Sequence, residues 1–493
     1  MSHPPKSTGA RGTVPLDRLL TGQPAVRPVP ASEVAARVTG GPRLVVLDDD
    51  PTGTQSVTDV PVLTRWEVDD LRWGLRQDST ALFVLTNSRS LGPADAADRA
   101  RAVIRALRTA ATAEGVDFAV ASRSDSTLRG HFPLETDAIA DELAATGAAP
   151  IDGVVIVPAY VEPGRLTIDS THWMRTDGGM LPVGESEFAR DATFGYRSSD
   201  LRDWVAEKMN GRVRAADVLA VTLTDLRVRG PEHVAGLLAG LRDGRPAVVD
   251  AACDDDLRVL ALALADAEAR GTRLLYRVGP SFVRARSGQD ARPPLTRESL
   301  HALTAAPDGD ARVPAAAHGL IAVGSHVGLT TRQLDRLRSL DGITEFELHV
   351  PTLLDADRRA GHIADTAAAC VAALAHGEVV LRTSRDLVVG GDADSSLAIA
   401  REVSAALVAS VRAVTAELRP AFVVAKGGIT SSDIATEGLE VRRAWARGTM
   451  LPGIVSLWQP VSGPGAGIPY VVFPGNVGDD DALAVVVDHL RNL

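Results

Sequence analysis

Three consecutive carboxylates, Asp48, Asp49 and Asp50, follow a short apolar run in the segment LVVLDDDPTGTQS. Neighbouring carboxylates repel one another, so such a group needs solvent, a cation or hydrogen-bond donors to stabilise its charge. A carboxylate at the end of a strand is also suited to act as a general base toward a hydroxyl group. The alternative interpretation is a solvated Asp-Pro turn in which a threonine caps the next helix.

A second polar cluster, in VASRSDSTLRGHF, combines Asp125, Ser126, Thr127 and Arg129 within five residues. Hydroxyl groups, backbone N–H groups and a guanidinium could converge here on a space the size of one anion. The alternative is an ordinary helix N-cap with an arginine nearby by chance.

Two further arginines follow predicted strands. Arg89 lies beside Ser88 in LTNSRSL, and Arg165 follows Glu162 in PAYVEPGR. A guanidinium can make a two-pronged contact with a carboxylate or a phosphate. For Arg89 alone, however, an exposed loop arginine is the commoner explanation. The nearby His172 could be a ligand, but a lone histidine is more often structural or exposed.

A glycine-rich turn in the C-terminal part of the chain indicates phosphate binding. In FVVAKGGITSSD, Lys426, Gly427 and Gly428 end an apolar run and Thr430 follows, while VGSHV places Ser325 after an earlier run. Paired glycines let a backbone approach a phosphate closely, and a helix N-terminus favours an anion. Only three of the 52 basic residues are lysines, so Lys426 could serve a purpose that arginine cannot. The alternative is a tight turn with ordinary serine caps.

A second glycine-rich turn, FPGNVGDDDAL, contains Gly475, Asn476 and Gly478. The acidic run that follows could help to position Mg²⁺, which makes Asp479 a candidate metal ligand. The same run could equally be an acidic first helical turn that complements the helix dipole.

The elements that must position these residues show an α/β pattern. Continuous apolar runs alternate with stretches of helical period, as in parallel sheets that helices cover on both faces. The predicted strands are 43–47, 81–86, 118–122, 153–158, 218–222, 247–250, 274–278, 320–323, 345–350, 378–382, 422–425, 453–457 and 470–474. Helices are predicted at 94–113, 134–146 and 395–418. Because most of the polar clusters directly follow strands, we expect them at the carboxyl edge of a sheet, where ligands bind.

The chain is longer than one hydrophobic core usually organises, so two domains are expected. We predict a flexible N-terminal lead-in over 1–34, a first α/β domain over 35–290, a Pro/Gly-rich linker over 291–316 and a second α/β domain over 317–493. The predicted fold class is two α/β domains with mostly parallel sheets flanked by helices and an active-site cleft between them.

Composition narrows the range of partners. A formal charge of −11 over 493 residues disfavours nucleic acid and membrane surfaces, but it allows a local basic pocket. The two cysteines, Cys253 and Cys370, lie far apart, which disfavours a disulfide framework or a zinc site and agrees with a reducing cytoplasm. No signal peptide or membrane span is predicted. A twofold homodimer is expected on frequency alone.

Several enzyme classes lack their signature motifs in this sequence. GxxxxGK[ST] is absent, which excludes a P-loop enzyme, and no GxGxxG follows an early strand. HExxH and GxSxG are also absent, so zinc proteases and serine hydrolases are disfavoured.

Taken in order, the segments DDDPTGT, SDSTLRG, PAYVEPGR, VGSHV, KGGITSSD and FPGNVGDDDAL resemble the four-carbon acid sugar kinase family, formerly a family of unknown function. The resemblance covers residues 44–482 and is to the longer branch of the family. It implies a sugar-binding N-terminal domain and a nucleotide-binding C-terminal domain. It also implies that ATP phosphorylates a terminal hydroxyl of an acid such as erythronate, threonate or a 3-oxo-tetronate.

The resemblance carries site residues with it. On the nucleotide side it implies Ser325, Gly427, Gly428, Ile429, Thr430 and Gly475, to which we add Lys426, Asn476 and Gly478. On the acid side it implies Asp49, Asp50, Thr52, Arg89, Asp125, Ser126, Thr127 and Arg129, to which we add Ser88, Glu162 and Arg165. Pro163 stands where the family more often has Asn, so no side-chain contact is carried over for position 163.

The working hypothesis is phosphoryl transfer from ATP and Mg²⁺ to an acid sugar, with Asp49, Asp50 or Asp125 accepting the hydroxyl proton. Arg89 or Arg129 would bind the carboxylate of the acid. Two other classes stay open at this point. One is a nucleotide- or metabolite-binding regulator that has lost catalysis, and the other is a dehydrogenase or epimerase on a similar scaffold.

Overall fold

The structure is a computed structural model that describes residues 12–304, 313–385, 388, 393–491 and 493. It divides into two compact units, each built from two stretches of chain. The first unit comprises the described residues up to Asp49 together with Ser88–Asp290. The second unit comprises Asp50–Asn87 and the described residues from Ala291 onward.

The strands are short and mostly apolar. In chain order they are β1 (Arg43–Asp48), β2 (Val60–Leu63), β3 (Ala81–Leu85), β4 (Phe118–Arg123), β5 (Gly153–Val157), β6 (Arg165–Ile168), β7 (Thr171–Thr176), β8 (Gly179–Pro182), β9 (Leu219–Val221), β10 (Arg245–Val249), β11 (Leu274–Val278), β12 (Leu320–Val323), β13 (Ile343–Leu348), β14 (Glu378–Thr383), β15 (Val423–Lys426), β16 (Arg443–Leu451), β17 (Ile454–Pro460) and β18 (Tyr470–Phe473).

Most of the helices lie between strands in sequence, while α1 and α2 precede β1 and α16 follows β18. In chain order they are α1 (Leu16–Leu20), α2 (Ala31–Val38), α3 (Val68–Leu75), α4 (Pro93–Glu114), α5 (Leu134–Ala145), α6 (Leu201–Lys208), α7 (Pro231–Ala239), α8 (Asp254–Ala269), α9 (Pro280–Arg286), α10 (Arg297–Thr304), α11 (Gly328–Leu337), α12 (Val350–Leu354), α13 (Ala356–Leu374), α14 (Ala393–Glu417), α15 (Gly428–Asp433) and α16 (Ala482–Leu490). None of the described helices is both long and apolar enough to cross a bilayer.

The first unit contains a parallel sheet in the order β1-β4-β11-β5-β10-β9. Its strands are almost wholly buried, which is why they read as continuous apolar runs. A separate antiparallel sheet, β6-β7-β8, follows β5 in the chain. Parallel alignment brings the carboxyl ends of β1, β4 and β11 to one edge, where the polar clusters begin.

The second unit contains a mixed sheet. Its order is β13-β14-β12-β15-β18-β17-β16-β2-β3, and the five strands from β13 to β18 are parallel. Strands β17, β16 and β2 run antiparallel to their neighbours, and β3 is parallel to β2. The core packs α10, α11 and α16 against the sheet through residues such as Leu300, Leu334 and Leu483.

The predicted α/β fold class is confirmed, and each predicted strand matches an observed strand to within a few residues. Five strands were not predicted: β2, β6, β7, β8 and β16. They are short, as in β2, or interrupted by charged residues, as in the RAWARG of β16, so apolar runs do not reveal them. These segments form strands because they pair with other strands in antiparallel ladders, and a local sequence pattern does not show such pairing.

The domain boundaries differ from the contiguous ones that we predicted. Residues 50–87 belong to the second unit because β2 pairs with β16, and this pairing joins positions about 380 residues apart in the chain, such as Val62 and Ala444. The predicted linker is also structured in part, since α10 buries Leu300 in the second core. Residues 305–312 of that segment lie outside the described residues.

The predicted flexible lead-in packs on the first unit wherever it is described. The backbone of Pro24 accepts a hydrogen bond from Arg227 at 2.8 Å, and the backbone N–H of Val29 donates to Asp255 at 3.1 Å. Helix α2 then buries Val34 and Val38. Residues 1–11 lie outside the described residues.

Replacing Leu300 tests whether α10 is part of the second core. Leu300→Ala should lower the free energy of unfolding of the second unit by about 2–5 kcal/mol, because it leaves a cavity among packed side chains. Urea unfolding followed by tryptophan fluorescence measures this loss. The control Glu298→Ala, at an exposed position on the same helix, should change the free energy by less than about 0.5 kcal/mol. Equal stability of the two variants would contradict the packing.

Candidate functional site

Buried charges meet at the carboxyl edge of the first sheet. Asp48 and Asp49, at the end of β1, are only 2% and 3% exposed. Asp48 aligns with Arg123 at the end of the neighbouring strand β4, and the Arg123 guanidinium donates to Asp48 at 2.9 Å. Arg89 makes a two-pronged contact with Asp49, with Nε 3.1 Å from one carboxylate oxygen. Each carboxylate of this adjacent pair therefore has its own arginine.

The loop after β4 carries a second ion pair. Arg129 donates to Asp125 at 2.6 Å, and the Thr127 hydroxyl donates to the same carboxylate. Burial by itself would raise the pKa of Asp125, but the charges of Arg89 and Arg129 and the two hydrogen bonds lower it well below its usual range. Asp125 is therefore ionised at any physiological pH. Three of the residues that we predicted together, Asp125, Thr127 and Arg129, are in direct contact.

Gly130 lets the loop pass close to the charged groups. Its φ is +117°, and a side chain there would come within 3.1 Å of both Arg277 and Asp49. Arg277, which lies on β11, donates to the backbone oxygen of Arg129 at 3.1 Å. A residue other than glycine would be both strained and crowded at this position.

Two arginines beside this loop have no ionic partner. Neither Arg165 nor Arg277 has a carboxylate oxygen within 4 Å among the described residues, and the buried Nε atom of each has no hydrogen-bond partner there. Burial lowers the pKa of both guanidiniums. Arg277 is buried and Arg165 is partly buried, and a cation removed from water is costly when no close ion pair compensates it, so these two side chains, with the nearby buried Ser124 hydroxyl, fit an anionic ligand.

Three of the residues predicted to bind the substrate make contacts within the protein. The Ser88 hydroxyl donates to the buried Glu135 at 3.0 Å. Glu162 pairs with Arg284 and accepts from Ser281, so its carboxylate is already engaged. Ser126 is buried in the loop that follows Asp125, and its backbone oxygen lies 2.8 Å from Nε2 of His172.

Asp50 and Thr52 lie in the second unit, beyond the end of β1. The Asp50 carboxylate accepts from the Thr52 backbone at 2.9 Å and from the Thr52 hydroxyl at 2.5 Å, which caps the short 3₁₀ helix Pro51–Ser56. The alternative interpretation of the DDDPTGT segment named a threonine as the helix cap, whereas the capping side chain in the structure is that of Asp50.

The glycine-rich turns of the second unit converge. They follow β12, β15 and β18, which are neighbours in the sheet. Thr330 donates to Ser325 at 3.1 Å and to the backbone oxygen of Gly475 at 3.0 Å. A side chain at Gly475 would come within 2.6 Å of the Ser325 hydroxyl, and one at Gly427 within 2.8 Å of Thr430. The three predicted loops therefore form one cradle of backbone and hydroxyl groups.

The rim of this cradle is open and partly apolar. A side chain at Gly428 would meet no atom within 4 Å, so this backbone faces free space. Ile429 is 65% exposed and Val327 is 47% exposed. Exposed apolar side chains on two of the loops that form the polar cradle fit a ligand that has a flat aromatic part and a phosphate part.

Lys426 points into the protein. It is fully buried, its ammonium donates to the Pro474 backbone oxygen at 2.7 Å, and it lies 3.9 Å from the centre of the Phe473 ring. Burial lowers its pKa to about 7. In this position the lysine shapes the Pro474–Gly475 turn from behind.

The acidic end of the last turn is exposed. The Asp479 carboxylate accepts from the backbone of Asp481 at 3.2 Å, while Gln333 donates to the Asp479 backbone oxygen at 2.7 Å. Asn476 is exposed, and Gly478 has a φ of +81°. Within the described part of the chain, no group of three or more His, Cys, Asp or Glu residues is arranged to hold a metal ion.

Sequence reasoning missed several residues of both sites. Arg277 lies inside an apolar strand and Arg123 is the last residue of one, and a charged residue in such a strand is the signal that could have revealed them. Burial and the charge of Asp49 raise the pKa of Glu135, which lies inside a helix and gives no such signal. In the second unit Arg385 donates to the backbone oxygen of Ser325 and, at 2.7 Å, to Thr331, so it holds the VGSHV loop in place.

Two family models match the chain. One is described as a sugar-binding N-terminal domain and matches residues 44–286, and the other as a nucleotide-binding C-terminal domain and matches residues 320–483. Each match covers one of the two candidate sites. No curated protein matches the sequence significantly.

Two solved structures share the fold, and a third is similar in sequence over most of the chain. A Haemophilus influenzae protein of the DUF1537 family is 20% identical, with a TM-score of 0.59, over 90% of this chain and 98% of its own. A Salmonella typhimurium LT2 protein, provisionally named a tRNA synthase, is 18% identical, with a TM-score of 0.63 and the same two coverages. A DUF1537 domain from Bordetella bronchiseptica is 24% identical over 92% of this chain and 99% of its own, with a TM-score of 0.37.

The buried Lys426 should make stability depend on pH. Between its folded pKa of about 7 and the ordinary lysine value of 10.5, the unfolded chain holds a proton that the folded chain has released. The free energy of unfolding should therefore rise with pH across this window. Urea unfolding from pH 7 to 9.5 measures the slope, and the uncharged Lys426→Met variant should show a smaller one. Parallel pH profiles for the two proteins would contradict a lowered pKa at Lys426.

Proposed function

Since the chain belongs to the four-carbon acid sugar kinase family, we propose that it is an ATP-dependent kinase that phosphorylates a terminal hydroxyl of a small acid sugar with four carbons. The observation that carries this proposal is the pair of arginines beside the Asp125 loop, Arg165 and Arg277, which have no carboxylate within 4 Å among the described residues and whose buried Nε atoms have no hydrogen-bond partner there. They match a carboxylate-bearing ligand, and hydroxyl groups around them match the hydroxyls of a sugar.

The acid would be bound by the first unit. The Nε–H groups of Arg165 and Arg277 have no hydrogen-bond partner among the described residues, while Arg89 and Arg129 already bind Asp49 and Asp125. We therefore assign carboxylate binding first to Arg165 and Arg277. Arg89 and Arg129 then hold their carboxylates in place, and hydroxyls such as those of Ser126 and Thr127 select the polyol part.

ATP would be bound by the cradle of the second unit. Backbone groups of Gly427, Gly428 and Gly475, with the hydroxyls of Ser325 and Thr430, suit the phosphates, and Ile429 suits the base. Mg²⁺ is usually held by one or two carboxylates together with substrate phosphates, so a single carboxylate such as that of Asp479 fits this role. The metal would neutralise the charge that builds up on the transferring phosphoryl group.

Phosphoryl transfer depends mainly on positioning and charge, so the protein needs only one group to take the hydroxyl proton. Asp49, Asp50 and Asp125 are the candidates. The charges of Arg89 and Arg129 lower the pKa of Asp125 and keep it ionised, which makes it available but weakly basic. The cleft in which acid and nucleotide would meet stays a prediction.

The proposal is tested by incubating the purified protein with ATP, Mg²⁺ and a panel of four-carbon acids, including erythronate, threonate and their 3-oxo forms. ADP release with one acid should exceed the rate without acid by at least tenfold. Measured ATP binding without turnover on any acid would favour a regulator that has lost catalysis. Failure to bind ATP would remove the assignment of the second unit as a nucleotide site.

Three variants serve as controls for the same assay: Asp49→Asn, Asp50→Asn and Asp125→Asn. Loss of the true base should lower kcat by about 10²–10⁴-fold while ATP binding survives. Full turnover in all three variants would rule out a carboxylate base from these positions.

Closing the cradle should abolish nucleotide binding selectively. Gly475→Ala places a methyl group 2.6 Å from the Ser325 hydroxyl, so we expect at least a tenfold loss in ATP affinity by calorimetry, with binding of the acid unchanged. Gly361→Ala is the matched control, because a side chain there meets no atom within 4 Å. Equal ATP affinity in both variants would place the nucleotide elsewhere.

A further inference from the structure

We propose that three buried side chains, His172, Tyr196 and Arg277, position the Asp125 loop by binding its backbone oxygens. This inference rests on the proposed function, in which the Asp125 loop, residues 125–130, binds the acid. His172 was interpreted from sequence as a structural or exposed histidine. The structure gives it a specific partner in the loop.

The three contacts fall on consecutive parts of the loop. His172 Nε2 lies 2.8 Å from the Ser126 oxygen, and Tyr196 Oη donates to the Thr127 oxygen at 2.6 Å. Arg277 donates to the Arg129 oxygen at 3.1 Å. His172 is on β7, Arg277 is on β11, and Tyr196 precedes α6, so three separate elements hold one loop.

The protonation state of His172 follows from its two partners. A backbone oxygen only accepts, so Nε2 must carry the hydrogen that binds the Ser126 oxygen. Nδ1 is then the acceptor for the Thr167 hydroxyl at 2.9 Å. Burial lowers the pKa of His172 to about 4, which keeps the ring neutral in this tautomer near neutral pH.

The hairpin that carries His172 is itself fixed. Asp169 and Ser170, in the turn between β6 and β7, both have positive φ values, 51° and 63°. The buried Asp250 carboxylate accepts from their backbone N–H groups at 3.0 and 2.8 Å. Two consecutive left-handed residues are unfavourable unless neighbours hold them, so Asp250 provides the support from which His172 reaches the loop.

The loop conformation needs such support. Leu128 has a φ of 69°, which is a strained conformation for a large side chain. Its side chain is buried in a core that also contains Tyr196 and Trp204. With the oxygens of residues 126, 127 and 129 bound from the protein interior, the loop cannot relax without breaking these contacts. These contacts thereby keep the Asp125, Thr127 and Arg129 side chains in fixed positions relative to one another.

Two substitutions at His172 separate its two hydrogen bonds. In His172→Gln, the amide nitrogen lies where Nε2 was and can still donate to the Ser126 oxygen. In His172→Asn, the shorter amide reaches only the Nδ1 position. Tyr196→Phe removes a single oxygen and leaves the ring, so it provides an independent test if a His172 variant does not fold.

The first readout is hydrogen exchange of peptides that cover residues 122–133, which requires no turnover. Exchange should become at least fivefold faster in His172→Asn and Tyr196→Phe and stay near the original rate in His172→Gln. Peptides that cover β5 serve as the internal control. Unchanged exchange in both His172→Asn and Tyr196→Phe, or equal acceleration in His172→Gln and His172→Asn, would overturn the inference.

The second readout is steady-state kinetics with erythronate or threonate. We expect His172→Asn and Tyr196→Phe to raise the KM for the acid at least fivefold while the KM for ATP stays unchanged, with His172→Gln close to the original enzyme. Equal changes in both KM values would indicate a general loss of structure and overturn the positioning role. If exchange is faster in the variants but the original protein turns over no acid, the result would support the loop contacts and reject the proposed kinase activity.

Discussion

The first unit depends on neutralising two adjacent carboxylates that are buried at the end of a strand. Asp48 and Asp49 are almost fully buried, and each needs a cation, because an unpaired buried charge costs about 3–5 kcal/mol. Arg123 reaches Asp48 only because β4 lies beside β1 in parallel register. The sheet order and the charge pairing therefore support each other.

This pairing also prepares the site for a ligand. Once Arg123, Arg89 and Arg129 are committed to carboxylates, Arg165 and Arg277 are left with buried N–H groups that lack partners among the described residues. A ligand anion is the natural counter-charge for them. The same loop that carries Asp125 is bound from behind through its backbone oxygens, so charge and geometry are set by different parts of the first unit.

The candidate site of the second unit differs in chemistry from that of the first. Its candidate site has few charges and relies on backbone groups that come close together because side chains are absent at Gly427 and Gly475. Lys426 is the exception, but it serves the turn from the interior, where burial lowers its pKa. A phosphate would be recognised here by dipoles and hydroxyls, and the first unit would recognise a carboxylate by full charges.

Local pattern is enough to establish the α/β class, the main strands and the loops that carry the polar clusters. Continuous apolar runs indicate strands that are buried on both faces, and paired glycines indicate a backbone that is approached closely. Both features can be recognised in the sequence. The pattern also places Asp125, Thr127 and Arg129 together, because they are neighbours in one loop. These conclusions need no knowledge of distant contacts.

Long-range pairing decides the rest. Residues 50–87 belong to the second unit because β2 pairs with β16. For the same reason Asp49 belongs to the first unit and the adjacent Asp50 to the second. Whether an arginine forms a salt bridge, like Arg123, or has none among the described residues, like Arg277, depends on which carboxylates the folded sheet places within reach. Residue type and spacing state what a side chain can do, but only the register of distant strands determines which partners it meets.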